Sequence, residues 1–483
     1  MRHSRVERRR NGYAEPQSLC RRPERFPATG LNDRITGQER VNIRPARQLW
    51  LPFKIEGALF VTEPDTANPI GEEQLMAEVL DRDNLFKALE NVKRNGGAPG
   101  VDGMTVEELP EYLKRVWPKI RTQLEKGIYC PKPVKRVEIP KPGGGIRQLG
   151  IPTVLDRFIQ QALLQVLQRR WDVTFSEHSH GFRPERNAHQ AIEESIKYLR
   201  EGYLWVVDMD LEKFFDRVNH DKVMSEVGRR VSDQRVIKLI RRFLKSGIEY
   251  NGKLMETEMG TPQGGPLSPL LANLMLDNLD KELEHRGHRF VRYADDCNIY
   301  IRSRRAGRRV LKSVSRYLDK RLKLSVNEAK SKVDRPWRRQ FLGFTFNKKI
   351  NIRISTKSIK RFKDRIREIT RRIRGRNIKV IVKELRSYIL GWWSYYKITQ
   401  VRGILKELDS WIKRRLRCYI WKQWGRRGYR ELVKLGVSRD LAWNTCKSAH
   451  GPWRLSRSPG LAFALTGKYF AELGLPRLFT KTI

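Results

Sequence analysis

The stretch RFVRYADDCNIYI, from Arg289 to Ile301, limits the fold more than any other. Two runs rich in β-branched and aromatic residues flank Asp295 and Asp296, which reads as a hairpin with two carboxylates at its tip. Aspartate favours turns for backbone reasons alone, so the pair is weak evidence of chemistry by itself. A second acidic site gives it weight. In LWVVDMDLEKFFDRV, from Leu204 to Val218, an apolar run reads as a buried strand, Asp208 and Asp210 fall at its end, and EKFFDRV begins a helix. If that strand lies beside the hairpin, Asp210, Asp295 and Asp296 converge at one sheet edge.

Such a cluster sits oddly in this chain. Its 483 residues carry 99 Lys and Arg against 54 Asp and Glu, a formal net charge of +45. Charge of that size points to a polyanion, with nucleic acid first to consider and a nonspecific basic protein as the plain alternative. Three gathered carboxylates are costly unless cations neutralise them, and Mg²⁺, which takes oxygen ligands, suits the task. Two such ions held about 3.5–4 Å apart stabilise the attacking and leaving oxygens of an in-line phosphoryl transfer. Cys20, Cys130, Cys297, Cys418 and Cys446 are far apart, with no CxxC pair, which argues for a reducing compartment and against a structural zinc module. The longest early apolar stretch, LWLPFKIEGALFV, is broken by Pro52, Lys54 and Glu56, too short and too polar to span a membrane. The expectation is a soluble, cytoplasmic and nucleoid-associated protein.

Residues 1–70 are Arg-rich with scattered Pro and no apolar period, and are expected to form a disordered basic arm. Helices are expected from Leu75, Val79, Leu85 and Leu89, followed by GGAPGVDGM, which lacks the spacing of a phosphate loop and reads as a tight loop. VKRVEIPKPGGGIRQLGIP reads as strands over Val134 to Ile139 and Ile146 to Gly150, a basic hairpin able to clamp a triphosphate. A mostly helical basic stretch follows, then a Gly/Pro loop and a helix with Ser268 as N-cap and Pro269 first. Short strands are expected at FLGFTF and IRIS. The pattern is α+β, a sheet with helices packed on one face. Beyond Ser355, Ile359, Phe362, Ile366, Ile369 and Ile373 form a helical seam with Gly375 as stop, and two more helices, Ile378 to Trp393 and Leu405 to Trp421, complete a basic bundle with aromatics among its charges. The expected domains are 71–355, 356–425 and a tail over 426–483.

YADD, DLEKFFD (Asp210 to Asp216), TPQGGPLSPLLANLML (Thr261 to Leu276), IPKPGGGIRQLGIPTVLDR (Ile139 to Arg157), SHGFRP (Ser179 to Pro184) and FLGF (Phe341 to Phe344) occur in the order seen in bacterial group II intron reverse transcriptases, which the chain resembles from about Glu72 onward. The segment from Ile359 to about Trp424 resembles their thumb, or maturase X, domain. The resemblance implies a right-hand polymerase: fingers, a palm with an antiparallel sheet, and an all-α thumb. It implies Asp210, Asp295 and Asp296 as catalytic metal ligands for two Mg²⁺, with Mn²⁺ as substitute, and the Leu211 carbonyl completing the site. Phe215 matches the residue that blocks a 2′-hydroxyl. Lys141 and Arg147 match the triphosphate-binding pair, Gln263 with Gly264 and Gly265 would line the nucleotide and template pocket, and Lys330 matches a lysine near the leaving pyrophosphate, with Lys332 two residues on. Asp208 and Asp216 are read as flanking, structural carboxylates.

After Trp421 the chain has one cysteine, Cys446, and one histidine, His450, too few for the Cys/His endonuclease of many relatives. GPWRLSRSPGLAFALTGKYFAELGLP resembles instead the DNA-binding end of class C enzymes. The long N-terminal arm departs from the family pattern. The implied partners are dNTPs, an RNA template with a DNA primer, target DNA and group II intron RNA, with a homodimer left open. The activity implied is RNA-directed DNA polymerisation with maturase function in splicing and retrohoming. Two alternatives stand beside it: an RNA-binding splicing cofactor with a vestigial polymerase, and a domesticated reverse transcriptase in phage defence.

Overall fold

The computed structural model describes residues 74–140, 144–256, 258–261 and 264–478. The expected basic arm over residues 1–70, Lys141 and Gln263 lie outside them. In chain order come α1 (Leu75–Val79), α2 (Arg82–Asn95), α3 (Leu109–Glu125), β1 (Val134–Pro140), β2 (Ile146–Ile151), α4 (Val154–Trp171), α5 (Ala188–Arg200) and β3 (Trp205–Met209). Next are α6 (Phe214–Arg217), α7 (His220–Gly228), α8 (Gln234–Leu244), β4 (Ile248–Tyr250), β5 (Lys253–Met255), α9 (Ser268–His285), β6 (Arg289–Tyr293), β7 (Asp296–Ile301) and α10 (Arg304–Tyr317). β8 (Lys332–Asp334), β9 (Phe344–Phe346) and β10 (Ile352–Ile354) precede α11 (Thr356–Ile369), α12 (Ile378–Tyr396) and α13 (Gly403–Trp424). Five short helices close the described chain: α14 (Gly428–Lys434), α15 (Arg439–Lys447), α16 (Pro452–Leu455), α17 (Pro459–Ala464) and α18 (Gly467–Glu472).

The basic hairpin forms as expected, with β1 antiparallel to β2 from Lys135↔Ile151 to Pro140↔Ile146. It is widened by β4 and β5 into a four-stranded sheet in the order β2-β1-β4-β5. The β4–β5 hairpin lies in the stretch expected to be mostly helical. Its signal was Asn251-Gly252, which take φ of +51° and +77° at the tip, the hand a two-residue hairpin requires. The GGAPGVDGM stretch is a loop, held by Arg157 of α4, whose guanidinium donates to the carbonyls of Gly96 (3.1 Å) and Ala98 (2.8 Å).

The palm sheet runs β6-β7-β3-β8, antiparallel throughout. Alternation sends Val207, Met209, Cys297, Ile299 and Ile301 into one buried cluster with α9 and α10. Val206, Val291 and Tyr300 enter a second cluster with Ile192 and Ile196 of α5 and the apolar seams of α11 to α13. Helical elements therefore cover both faces, where one was expected, because both faces of these strands are apolar. α9 begins at Ser268 itself, with Leu267 as N-cap and no side-chain cap bond; Leu267 is drawn into the core, and Pro269 in the first turn needs no amide partner.

α11 is capped by Ser355, which accepts from the Ser358 amide, and buries Phe362, Ile366 and Ile369. It ends at Ile369, so Ile373 leaves the expected seam and is 83% exposed. The Thr370 hydroxyl donates to the Ile366 carbonyl (2.6 Å), closing the helix short of Gly375. The seams of α12 and α13 carry their aromatics inward: Trp392 lies 4.2 Å from Phe362 and 4.7 Å from Tyr396, ring centre to ring centre, and Tyr419 is fully buried. The terminal segment is folded, with Leu432, Leu455, Leu461 and Phe470 in the same core. Among the described residues no helix is long and apolar enough to cross a membrane.

A buried carboxylate ties the fingers hairpin to α4. Asp156 accepts from the hydroxyls of Tyr129 (2.8 Å) and Thr153 (2.6 Å) and from the Lys132 amide (3.2 Å). Burial outweighs these donors and pushes its carboxyl up to about 6. Tyr129→Phe removes one donor, so urea unfolding at pH 8 is expected to show a loss of about 1–3 kcal/mol. The loss should shrink toward pH 5, where Asp156 is protonated and needs fewer donors.

Candidate active site

β3 pairs with β7 as far as Met209↔Cys297, and one further step in that register sets Asp210 opposite Asp296. β6 and β7 close at Tyr293↔Asp296, leaving Ala294 and Asp295 as a two-residue loop. Ala294 takes φ +58°, and Asp295 does not go positive, the sign pattern of a type II′ hairpin turn. Glycine is the usual residue there, and alanine in that region is strained. The turn therefore depends on what surrounds it.

What surrounds it is an almost wholly buried polar cradle. Arg292, 1% exposed, forms a fork with Asp280 of α9, fully buried, through Nε (2.7 Å) and Nη2 (2.5 Å). Its Nη1 donates to the Asn273 side-chain oxygen (3.0 Å) and to the Ala294 carbonyl (2.9 Å) inside the turn. Asn273 in turn donates to the Gly181 carbonyl (2.8 Å). Gly181 abuts the turn so closely that a Cβ there would sit 2.9 Å from the Tyr293 carbonyl carbon and nearer still to the Ala294 nitrogen, so only glycine fits. Backbone bonds from His180 N to Arg292 O and from Arg292 N to His178 O, both 2.9 Å, fix the same segment to β6.

The site's electrostatics follow from this crowding. Asp208 bonds Arg339 Nε through Oδ2 (2.7 Å), and Arg339 also donates to the Lys330 carbonyl (2.9 Å). Asp210 meets the ammonium of Lys330 at 2.9 Å. Burial raises Asp295, with Asp210 as a like charge and Arg147 opposing. Desolvation, then the charges of Asp295, Asp208 and Asp210, push Asp296 up to about 7, against Lys330. Asp296 keeps solvent access, so the like charges are the part of that shift a bound cation would relieve. Asp208 is held in an ion pair with Arg339.

Among the described residues no three His, Cys, Asp or Glu side chains converge to ligating distance, and Asp210 faces Lys330 instead. The donor set at this edge is nonetheless all oxygen. Leu211 forms a bridge with Val326 through its neighbours' groups, Asn327 N to Asp210 O (2.8 Å) and Glu212 N to Ser325 O (2.9 Å), which leaves its own carbonyl outside the bridge. Carboxylates with a carbonyl suit a hard divalent cation, and the Lys330 ammonium stands where positive charge is favoured.

Phe215 is half-buried on α6, ring to ring with Phe214 at 5.2 Å, and its carbonyl accepts from Thr261 N (2.7 Å). That bond brings the start of the TPQGG loop to the carboxylate strand. Gly264, at φ +146°, packs on the Gly150 carbonyl at the end of β2, and Gly265 on Gln160 of α4. Arg147 lies on β2 opposite Ile139. The structure thus joins Asp210, Asp295, Asp296 and Lys330, with Arg147 within electrostatic reach. Arg292, Asp280, Asn273, Gly181 and Arg339 were missed in the sequence. An asparagine and an aspartate on the apolar face of LLANLMLDNLD, and an arginine inside a strand, were the available signals.

Residues 139–346 match the family described as reverse transcriptase (RNA-dependent DNA polymerase), and residues 359–436 the group II intron, maturase-specific domain. Protein YkfC of Escherichia coli (strain K12) is 37% identical over 220 residues, 44% of this chain and 58% of that protein. Group II intron-encoded protein LtrA of Lactococcus lactis subsp. cremoris is 36% identical over 209 residues, 43% of this chain and 35% of that protein. A putative COX1/OXI3 intron 1 protein of Saccharomyces cerevisiae is 30% identical over 236 residues, 46% of this chain and 28% of that protein. The matches thus span less than two thirds of these relatives' own lengths.

The raised Asp296 carboxyl makes a pH prediction. In the folded protein it holds its proton to about 7, whereas an unfolded aspartate releases it near 3.9. Its contribution to stability is full below the unfolded value and is lost as pH rises through about 7. Thermal melts in EDTA should show this loss between pH 5 and pH 8, and Asp296→Asn should flatten it. An equal slope in the variant would contradict the assignment.

Proposed function

We propose that this chain, which joins a reverse transcriptase domain to a group II intron maturase-specific domain, extends a primer 3′-hydroxyl with dNTPs on an RNA template and binds intron RNA to assist splicing. The observation that carries this reading is the gathering of Asp210, Asp295 and Asp296 at one palm edge, where the charge of Asp210 helps raise Asp295 and the charges of Asp295 and Asp210 help raise Asp296. Residues 71–355 would form fingers and palm, 356–425 the thumb, and 426–483 a DNA-contacting end.

In this reading Asp210, Asp295 and Asp296, with the Leu211 carbonyl, hold Mg²⁺ ions, which when bound would polarise the phosphoryl oxygens and make the primer hydroxyl easier to deprotonate. Lys330 then leaves Asp210 and turns its ammonium to the departing pyrophosphate, where it can supply a proton. Lys141 and Arg147 neutralise the triphosphate from the fingers. Gln263 and Gly264 would contact the incoming nucleotide and template. Phe215 closes the space beside the sugar C2′, so a ribonucleotide meets its ring.

Primer extension on an RNA template with Mg²⁺ tests the reading. Asp295→Ala/Asp296→Ala should abolish extension while binding of a folded group II intron RNA persists. If wild type binds that RNA and makes no DNA, the splicing-cofactor reading replaces this one. Phe215→Val should lower the preference for dNTP over NTP, measured as the ratio of kcat/KM, by roughly ten- to hundredfold.

A further inference from the structure

α10 carries Arg304, Arg305, Arg308, Arg309, Lys312 and Arg316, all exposed, and no acidic residue. Among the described residues none of the six has a carboxylate partner. Other basic helices differ: Arg365 and Arg367 of α11 pair with Glu368 and Asp364, and Lys413 of α13 with Asp409. Basic residues continue past α10 at Lys320, Arg321 and Lys323.

This arrangement opposes what helix stability alone would select. Arg304 and Arg305 occupy the first turn, against the positive end of the helix dipole. The pairs 304/308, 305/309, 308/312 and 312/316 set like charges one turn apart. A polyanion laid along the helix converts that self-repulsion into binding.

The position of α10 separates it from the carboxylates. Val310 and Val314 are buried against the palm sheet, and a Cβ on Gly307 would lie 2.5 Å from Val333 Cγ1, so the helix is pressed onto the strands. It packs with Val207, Met209, Ile299 and Ile301. Asp208 and Asp296 alternate to the opposite face, with Val206 and Tyr300. Because the apolar side of α10 is spent on the core, it cannot insert into a lipid surface. What remains outward is a row about 18 Å long of five guanidinium forks and the Lys312 ammonium, the forks suited to bidentate contacts with phosphates.

We propose that the outer face of α10 binds the phosphate backbone of a folded RNA, at a site on the far side of the palm from the primer–template groove. The choice of RNA rests on the maturase reading above; the surface itself does not. The test is the full chain carrying Arg305→Gln/Arg309→Gln/Lys312→Gln/Arg316→Gln, since glutamine is close to arginine and lysine in helix propensity. Extension of a DNA primer on a short RNA template should stay within about twofold of wild type, because no contact to that duplex is removed. Affinity for a folded group II intron RNA should fall roughly tenfold or more, and the slope of log affinity against log salt should lessen by about 2–4. The melting temperature should equal or exceed that of wild type. Unchanged RNA affinity and slope would overturn the proposal, as would loss of extension in parallel with binding. Weakened binding of an equally long DNA duplex with RNA binding intact would overturn the RNA assignment. Failure of wild type to extend would count against the polymerase reading, whereas α10 stands or falls on the RNA-binding arm.

Discussion

The candidate site depends on one buried guanidinium. Arg292 satisfies Asp280 with two nitrogens and with the third donates to both Asn273 and the Ala294 carbonyl, so a single side chain ties α9 to the carboxylate turn. Removing one member of a buried ion pair costs about 3–5 kcal/mol, because the other is left charged and unpaired. The same pair also holds a strained alanine at positive φ. Three separated sequence motifs, SHGFRP through Gly181, LLANLML through Asn273 and RYADD through Arg292, prove to be parts of one cradle.

Around that cradle the charge balance is local rather than global. The chain is strongly basic, yet its palm edge gathers Asp208, Asp210, Asp295 and Asp296. Two cations manage the repulsion by different routes. Arg339 is committed to Asp208 and to the Lys330 carbonyl, and so holds the strand. Lys330, its side chain 68% exposed, answers Asp210 with a solvent-accessible ammonium, which a divalent ion could displace. Stability is thereby surrendered at the point where binding energy is to be gained.

Much of the fold was legible because it rests on local patterns. Alternating apolar runs predicted β1, β2, β6 and β7, and the seam at Phe362 and Ile366 predicted α11. The β4–β5 hairpin was hidden by its shortness, although Asn251-Gly252 marked its tip. The end of α11 was not legible, since a hydroxyl of Thr370 rather than a glycine closes it. At the site, the carboxylates and Phe215 could be named from motifs. Their supports could not, because Arg292, Asp280 and Asn273 are distant in sequence from Gly181 and meet only when the sheet and α9 pack. The outward charge of α10 was visible as composition, but its place on the far face of the palm required the register of β3 on β7.

The central claim is that Arg292 positions the turn and does not merely stabilise the palm. The most direct measurement is primer extension by Arg292→Met/Asp280→Leu, with a melting curve beside it. Replacing both partners of a buried pair by apolar side chains of similar volume is close to neutral in stability, so the variant should remain folded. If the claim holds, the folded variant extends roughly a hundredfold more slowly, because the turn has lost its bonds to Arg292 and the carboxylates shift. Wild-type extension by a folded double variant would contradict it.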